Sequence, residues 1–577
     1  MGELFFRRPW LAALILLLPV LLPGLAHFLL PGDGRVPTGF LQYDQASYMA
    51  MAREHFDQGF SPTYGLPFSP DSQTPRVYLQ PQSLVLGSLL ALTGLEPGVL
   101  FYGCGLLAAL VFFRIAIALW RERVQAEDGA AAVGATLLCW GGGLLALAGL
   151  AVSLTQGGLT PEGIFRFDPL DGYWFLNAGR NAWYTLEAYY HALAFGLLLA
   201  LLRRRYALAL LLLALLSWSH PFTGLQFLLI AGGWSGLERL LLRSSAAPPL
   251  WFPAGAAALL ALHLGYHLWF LPTHSPEHAS VMTQWMADTP LSLAGFLLAY
   301  ALVLPPAVAA VARGLLRQPE SRLFLLTALT TLALMTHDLV IEARQPLHFS
   351  RGYLWSGLLL LGAPPLHRWL GALLRPPRSR RRLAALAALL LLFVADNGAW
   401  FAWRAQEQLA GFTQFLLRPV QWAVLEELRR PDYAGHTLVS TDLEIGYLVT
   451  VYTPLRSWRS HGNTTPDVFR REAEIAAWMA TGEEPPEWRQ RPMVFVWRAS
   501  ESGGGPDALA AAGIAPLLLQ PEPGPALLLA RRGAGGAPGR RWRRRAARRS
   551  RPSGCGAPGR RRCCSTCRWR RCSSCRC

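Results

Sequence analysis

Apolar runs of membrane-spanning length recur between residues 10 and 403, separated by short polar loops. Inside a bilayer no water meets an open backbone N–H or C=O, so such runs must form helices. The candidate spans are residues 10–30, 99–120, 129–154, 186–202, 206–218, 221–237, 250–271, 291–312, 323–335, 352–366 and 383–402, about eleven in all. Residues 83–95 are too short to cross and read as a juxtamembrane or re-entrant helix. The first run is long and lacks a small-residue cleavage site, so it reads as an uncleaved anchor rather than a signal peptide. Only 16% of the chain is charged, against about a quarter in soluble proteins. That excludes a string of soluble domains.

Arginine placement orients the bundle. Arg7 and Arg8 put the N-terminus in the cytoplasm. Arg121 and Arg123, Arg203 to Arg205, Arg239 and Arg243, Arg313 to Arg322, and Arg368 to Arg382 then all fall in inner loops. The long polar loops 31–82, 155–185, 272–290 and 336–351 fall outside. After residue 403 the pattern turns soluble. Strands are expected at 436–440, 492–496, 515–519 and 526–530, and helices at 466–481 and 507–512. The expected organisation is a membrane domain over 1–403, an extracytoplasmic α/β domain over 404–532, and a disordered tail over 533–577. The fold class is thus an all-α polytopic membrane protein with a small C-terminal α/β domain.

The net charge of +18 is a property of the tail. Residues 531–577 hold 17 arginines and no acid, which leaves 37 basic against 36 acidic residues elsewhere. The body gives no reason to expect nucleic acid. Seven of the nine cysteines also crowd into the tail, while Cys104 and Cys139 lie in spans, so no disulfide framework serves the body. The tail's two C-x-x-C pairs are too close together for a zinc ribbon. A basic zinc or nucleic-acid tail is one reading. An out-of-frame read-through of GC-rich DNA is the preferred one, and the tail is assigned no function. The chain has arginine but no lysine, which suggests GC-rich bacterial coding and a bacterial inner membrane.

The first outer loop carries the clearest chemistry. A helix is expected from Asp44 to Gly59, with Asp44, Tyr48, Met51 and His55 on one face. Asp44 is then either a helix cap or a reactive carboxylate at the membrane surface. An acid in the first outer loop, followed by a Tyr and an Ala-Arg helix, resembles the class C glycosyltransferases. These include protein O-mannosyltransferases and the aminoarabinose transferases of lipid A. The likeness continues through Tyr78-Leu79-Gln80-Pro81-Gln82-Ser83-Leu84 and a short helix ending near Gly94. Two departures stand out. Asp44 is followed by Gln45 rather than a second acid, which weakens the case for paired-carboxylate metal chemistry, and Gln82 interrupts a double proline.

The resemblance implies a polyprenyl-phosphate-linked sugar donor drawn from the membrane lipid. Asp44 is the expected catalytic base, with a divalent cation on Asp44 left open. The departing phosphate needs cations on the outer face, and Arg351, Arg344 and His348 are the candidates. The alternatives for Arg351 are ordinary lipid phosphates, or pairing with Asp338 and Glu342. Tyr48, His55, Asp168, Asp171, Trp174, Trp183 and His220 are candidates for an acceptor or sugar surface. The aromatic ones fit an interfacial belt equally well, and His220 fits a headgroup-level turn. Residues 274–278 spell H-x-x-E-H, but Pro276 opposes the helix a zinc peptidase needs. His461-Gly462-Asn463-Thr464-Thr465-Pro466 resembles a stretch in the tail domains of glycosyltransferase-like membrane proteins, and also serves as a helix start. An O-antigen polymerase or ligase is the nearest enzymatic alternative. A transporter or non-catalytic envelope scaffold is the other, though charges are expected in loops and not in span centres.

Overall fold

The computed structural model describes residues 2–533 apart from 33, 168–176, 285–291, 343–344, 377–378, 410–414, 502–503 and 520–525. Arg344, Asp168, Asp171, Trp174 and nearly all of the tail therefore lie outside the described residues. Among the described residues five helices are long and apolar enough to cross a membrane: Pro9–Leu29, Pro97–Val124, Thr185–Leu202, Trp251–His274 and Arg380–Glu407. Two bent pairs raise the number to seven by length and composition. The other apolar stretches that make up about eleven are shorter. Tyr206–Ser219, Pro221–Gly236 and Pro319–Met335 have 14, 16 and 17 residues. At about 1.5 Å per residue they fall short of a roughly 30 Å core. Tyr353–Leu361 stops at Gly362, and the chain resumes as Ala363–Leu374.

Thr185–Leu202 is the bundle's centre, with 83% of its apolar window buried. It packs along Pro97–Val124, where Phe112, Phe195 and His191 interlock. The first helix has a different surface: Leu11, Ile15 and Leu22 are exposed, as a lipid-facing side requires.

Two expected continuous spans are broken. Residues 129–154 form Gly129–Trp140 and Leu145–Thr155, bent by 66°. Gly141, Gly142 and Gly143 occupy the break, where glycine costs a helix most. Residues 291–312 form Leu293–Tyr300 and Leu304–Ala312, bent by 72°. Pro305 and Pro306 supply no N–H and clash with the preceding turn. The two breaks meet: Leu144 N–H donates to the Leu298 carbonyl at 2.9 Å. Gly143 lies so close that a Cβ would stand 2.4 Å from the Ala299 oxygen.

Asp396 corrects the expectation that charges sit only in loops. It lies within Arg380–Leu409 and is fully buried. Its carboxylate accepts the Gly143 and Ala146 amides at 2.9 and 2.8 Å. These amides sit at the start of the second half-helix, which would otherwise leave them unpaired. Asp396 thus caps a helix inside the bundle, a structural role.

The C-terminal part holds a five-stranded sheet. Its strand order is Arg456–Ser457, Thr437–Ser440, Met493–Arg498, Leu527–Arg532, Leu517–Leu519. The first three run parallel and the last two pairings are antiparallel. The four expected strands and two expected helices are present within a few residues. Strand alternation splits the apolar side chains between two cores. Leu438, Val494 and Val496 join the core that runs into the membrane body, while Val439, Phe495 and Trp497 face Trp458, Trp478 and Trp488. Helices Pro419–Leu428 and Leu443–Tyr452 were not expected. The second reads as a polar loop at its start because Asp442 is there, but Asp442 caps it by accepting the Ile445 amide at 3.1 Å. Leu443–Tyr452 packs on the first-loop helix Gln45–Glu54. Val36–Pro37 pairs with Leu416–Leu417, a second tie between the segment that follows the first helix and the C-terminal part.

Candidate functional site

Asp44 stands at the N-terminus of Gln45–Glu54, yet its side chain makes no capping hydrogen bond. The carboxylate turns away from its own helix. One oxygen accepts from His461 Nε2 at 3.0 Å and the other from Gln42 Nε2 at 3.0 Å. The capping alternative is therefore set aside. His461 is 417 residues further along the chain. Its Nδ1 accepts the Asn463 amide at 3.1 Å, so the hydrogen-bond network puts the ring proton on Nε2, facing Asp44. The ring is wedged among Tyr43, Tyr447 and Phe68 at centroid distances of 4.6, 4.9 and 5.8 Å. The Gly462 amide donates to the Tyr43 hydroxyl and the Tyr447 hydroxyl donates to the Tyr43 carbonyl, which fixes both loops.

The His461 side chain is 2% exposed and that of Asp44 is 43% exposed. The carboxylate alone of the pair can meet a substrate. Protein atoms crowd it enough that burial would raise its pKa, but His461, Gln42 and His348 outweigh burial and hold it below its ordinary value. A base form is thus present throughout the neutral range. Activity that depends on it should fall only as pH drops through that lowered pKa. By the same sign, the stability Asp44 contributes is complete above its unfolded value and lost on acidification. Removing the imidazole with His461→Ala should move the acid limb of the pH–rate profile upward; an unmoved limb would disconnect His461 from Asp44.

Tyr48 lies one turn along the same helix. Burial, then the charge of Asp44, push its phenol up to about 12, while Arg351 pulls the other way. The hydroxyl therefore stays a donor at neutral pH. Burial pushes His348 down to about 4 against the pull of Asp44. Asp44, Tyr48, His348 and Arg351 thus share one electrostatic neighbourhood. Arg351 is 2% exposed. It donates to the His348 carbonyl at 2.9 Å and to His348 Nδ1 at 2.6 Å. Its ion-pair partner is Glu187, where the sequence had offered Asp338 and Glu342. Glu187 lies in the first turn of Thr185–Leu202. His191, one turn on, sets its two ring nitrogens 2.7 Å from the Glu187 and Arg351 carbonyls and so ties the two segments together. Arg351 holds a left-handed φ of 35°, and Gly352 follows at 75°. A Cβ at Gly352 would stand 2.5 Å from the Ala178 amide, so this turn is wedged against the segment 177–178. Strain of this kind persists only where its surroundings enforce it.

Three other candidates take different places. His55 is fully buried, with Nδ1 on the Ser61 carbonyl at 2.8 Å and Nε2 on Ser83 Oγ at 3.0 Å, so it staples the first loop and faces no cavity. Trp183 is 7% exposed and packs edge-on against Trp400, so it belongs to the core. His220 caps Pro221–Gly236 by accepting the Thr223 amide at 3.1 Å, and Phe222 carries it towards His348. Ser275 is extended and separates His274 from the helix that bears His278, which agrees with setting the zinc-peptidase string aside.

The donor set does not fit a cation on Asp44. Both oxygens already face N–H donors, and among the described residues no three His, Cys, Asp or Glu side chains are placed to hold a metal ion. The residues that sequence reasoning left unassigned are Gln42, Glu187 and His461. Glu187 falls in the aromatic loop 165–191 and His461 heads its His-Gly-Asn-Thr-Thr-Pro stretch, but neither sequence context reports its partner.

No family model and no curated protein matches the chain. Among solved structures it is similar to the oligosaccharyltransferase of Archaeoglobus fulgidus tethered with an acceptor peptide containing the NVT sequon. The TM-score is 0.46 at 12% identity, covering 85% of this chain and 69% of that one. The apo form gives 0.46 at 11%, covering 83% and 69%. AglB from the same organism, in complex with an inhibitory peptide and a dolichol-phosphate, gives 0.41 at 12%, covering 85% and 70%. At these values the likeness assigns neither a family nor an activity.

Proposed function

We propose that the protein is a membrane glycosyltransferase of the outer face of a bacterial inner membrane. It transfers a sugar from a polyprenyl-phosphate-linked donor to an acceptor hydroxyl. The observation that carries this reading is the Asp44–His461 contact: an accessible carboxylate, aimed by a buried imidazole, beside a buried arginine. In the proposed step the acceptor oxygen bonds to the anomeric carbon. The bond from that carbon to the phosphate oxygen breaks, and its electron pair leaves with the lipid phosphate. Asp44 takes the hydroxyl proton as general base. His461 and Gln42 hold the carboxylate in place. Tyr48 offers a hydroxyl donor, Arg351 and Arg344 supply positive charge for the departing phosphate, and His348, kept neutral by burial, orients Arg351 by accepting its N–H. Arg351 is enclosed, so its proposed part is electrostatic, through Tyr48, and its contact with Glu187 keeps it oriented.

The test is a deletion strain compared with its parent by mass spectrometry of envelope glycans and lipid extracts. The expected result is loss of one glycan or glycolipid with accumulation of its polyprenyl-phosphate sugar. Unchanged profiles in both fractions would reject the reading.

A further inference from the structure

A cavity of about 290 Å³ opens between the 69–71 segment, helix Pro276–Gln284 and the start of helix Val468–Thr481. Trp458 lines it, and two guanidinium groups stand over the Trp458 ring, Arg471 at 4.6 Å and Arg491 at 5.9 Å. Arg471 donates to the Pro466 carbonyl at 2.7 Å, and Arg491 to the Pro70 carbonyl at 3.1 Å. Backbone carbonyls orient these groups without neutralising them. Among the described residues neither has a carboxylate within ion-pair distance, whereas their neighbour Arg470 meets Asp467, Glu474 and Glu487. Arg471 is only 7% exposed. Burial brings its pKa down to about 10, so it remains charged at neutral pH. Asp467, Glu474 and Glu487 act on Arg471 through space without reaching ion-pair distance, and an anionic ligand in the cavity would add a direct partner.

The rim has a different chemistry. Asp71 and Glu277, with the hydroxyls of Ser69 and Ser280, line the same space, as do Asp467 and Glu487, which are engaged with Arg470. Carboxylates and hydroxyls accept from sugar hydroxyls but repel a compact polyanion. The cavity therefore pairs a guanidinium floor with a hydroxyl-reading rim. We propose that it binds an acidic saccharide, with the sugar's carboxylate on Arg471 and Arg491 and its hydroxyls on the rim.

The cavity also adjoins the candidate site. Trp458 opens the stretch that reaches His461, and Phe68, next to Ser69, packs on the His461 ring. The Phe68–His461 wall thus separates the cavity from Asp44. Binding of the saccharide there does not rest on the proposed transfer.

Full-length protein in nanodiscs would be titrated with a glucuronate-terminated disaccharide, its neutral counterpart and inorganic phosphate, read by ligand-observed NMR. The glucuronate form should bind at least about tenfold more tightly than the neutral form, and Arg491→Gln should erase that preference. Arg491 is only half-buried, so this variant avoids disturbing the Arg471 packing. Asp44→Asn should leave binding unchanged. Equal affinity for both disaccharides, phosphate competing as well as glucuronate, or an unaffected Arg491→Gln would each overturn the assignment. Glucuronate binding in a protein whose deletion leaves envelope glycans intact would support the cavity and sink the transferase reading.

Discussion

Asp44→Asn is expected to reduce transfer by about a thousandfold, within the roughly 10²–10⁴ that a general base contributes, while the protein reaches the membrane at its normal level. The substitution removes basicity with little change of shape. The asparagine carbonyl oxygen can still accept the His461 Nε2 proton now held at 3.0 Å, and the amide can turn towards the Gln42 carbonyl oxygen. The N-terminus of Gln45–Glu54 does not depend on the carboxylate, because no side-chain cap bond exists there to lose. The envelope profile of the variant should match that of the deletion strain. A variant at normal membrane level with a normal profile would remove Asp44 from the chemistry.

Arg351→Ala should be the most destabilising single change in the outer half of the bundle. Glu187 would be left buried without its cation, and breaking a buried pair costs about 3–5 kcal/mol. The hydrogen bonds to the His348 carbonyl and Nδ1 would go with it. Replacing both partners, as Glu187→Gln with Arg351→Gln, leaves no uncompensated charge and should restore most of the thermal stability of the purified protein. Transfer should nevertheless stay low in the double variant, because the positive charge beside Tyr48 is gone. Full stability of Arg351→Ala would show that the pair is not buried as described. Full transfer by the neutral pair would remove the arginine from the reaction.

Much of the architecture was legible because it depends on local rules. Apolar length located the helices, and short apolar runs located Thr437–Ser440, Met493–Arg498 and Leu527–Arg532. The breaks were missed, although Gly141 to Gly143 and Pro305-Pro306 are plain helix interruptions inside apolar runs. Apolar character alone does not require a straight helix, and that is where a purely hydropathic reading goes wrong. Asp396 escaped for a related reason, since one carboxylate in the predominantly apolar run 383–402 scarcely changes a window average. Nothing local reports that it caps a different helix.

The site divides in the same way. Asp44 and Tyr48 were visible through helical spacing within one loop. Glu187 and His461 were not, because their meaning lies in partners 164 and 417 residues away. His55 shows the converse error: it shares the expected helical spacing with Asp44, but the loop closes over it, and Ser61 and Ser83 occupy both of its nitrogens. Spacing identifies a face, and only packing decides whether that face is open.

The most direct measurement is a double-mutant cycle on transfer between Asp44→Asn and His461→Ala, with membrane levels matched. If His461 acts by aiming the Asp44 carboxylate, its loss alone should cost about a hundredfold, the scale of a misplaced catalytic group. In the Asp44→Asn background it should then cost almost nothing further, because no base remains to be aimed. Independent, multiplying losses would contradict the account, since they would mean that the carboxylate and the imidazole do not work as one unit.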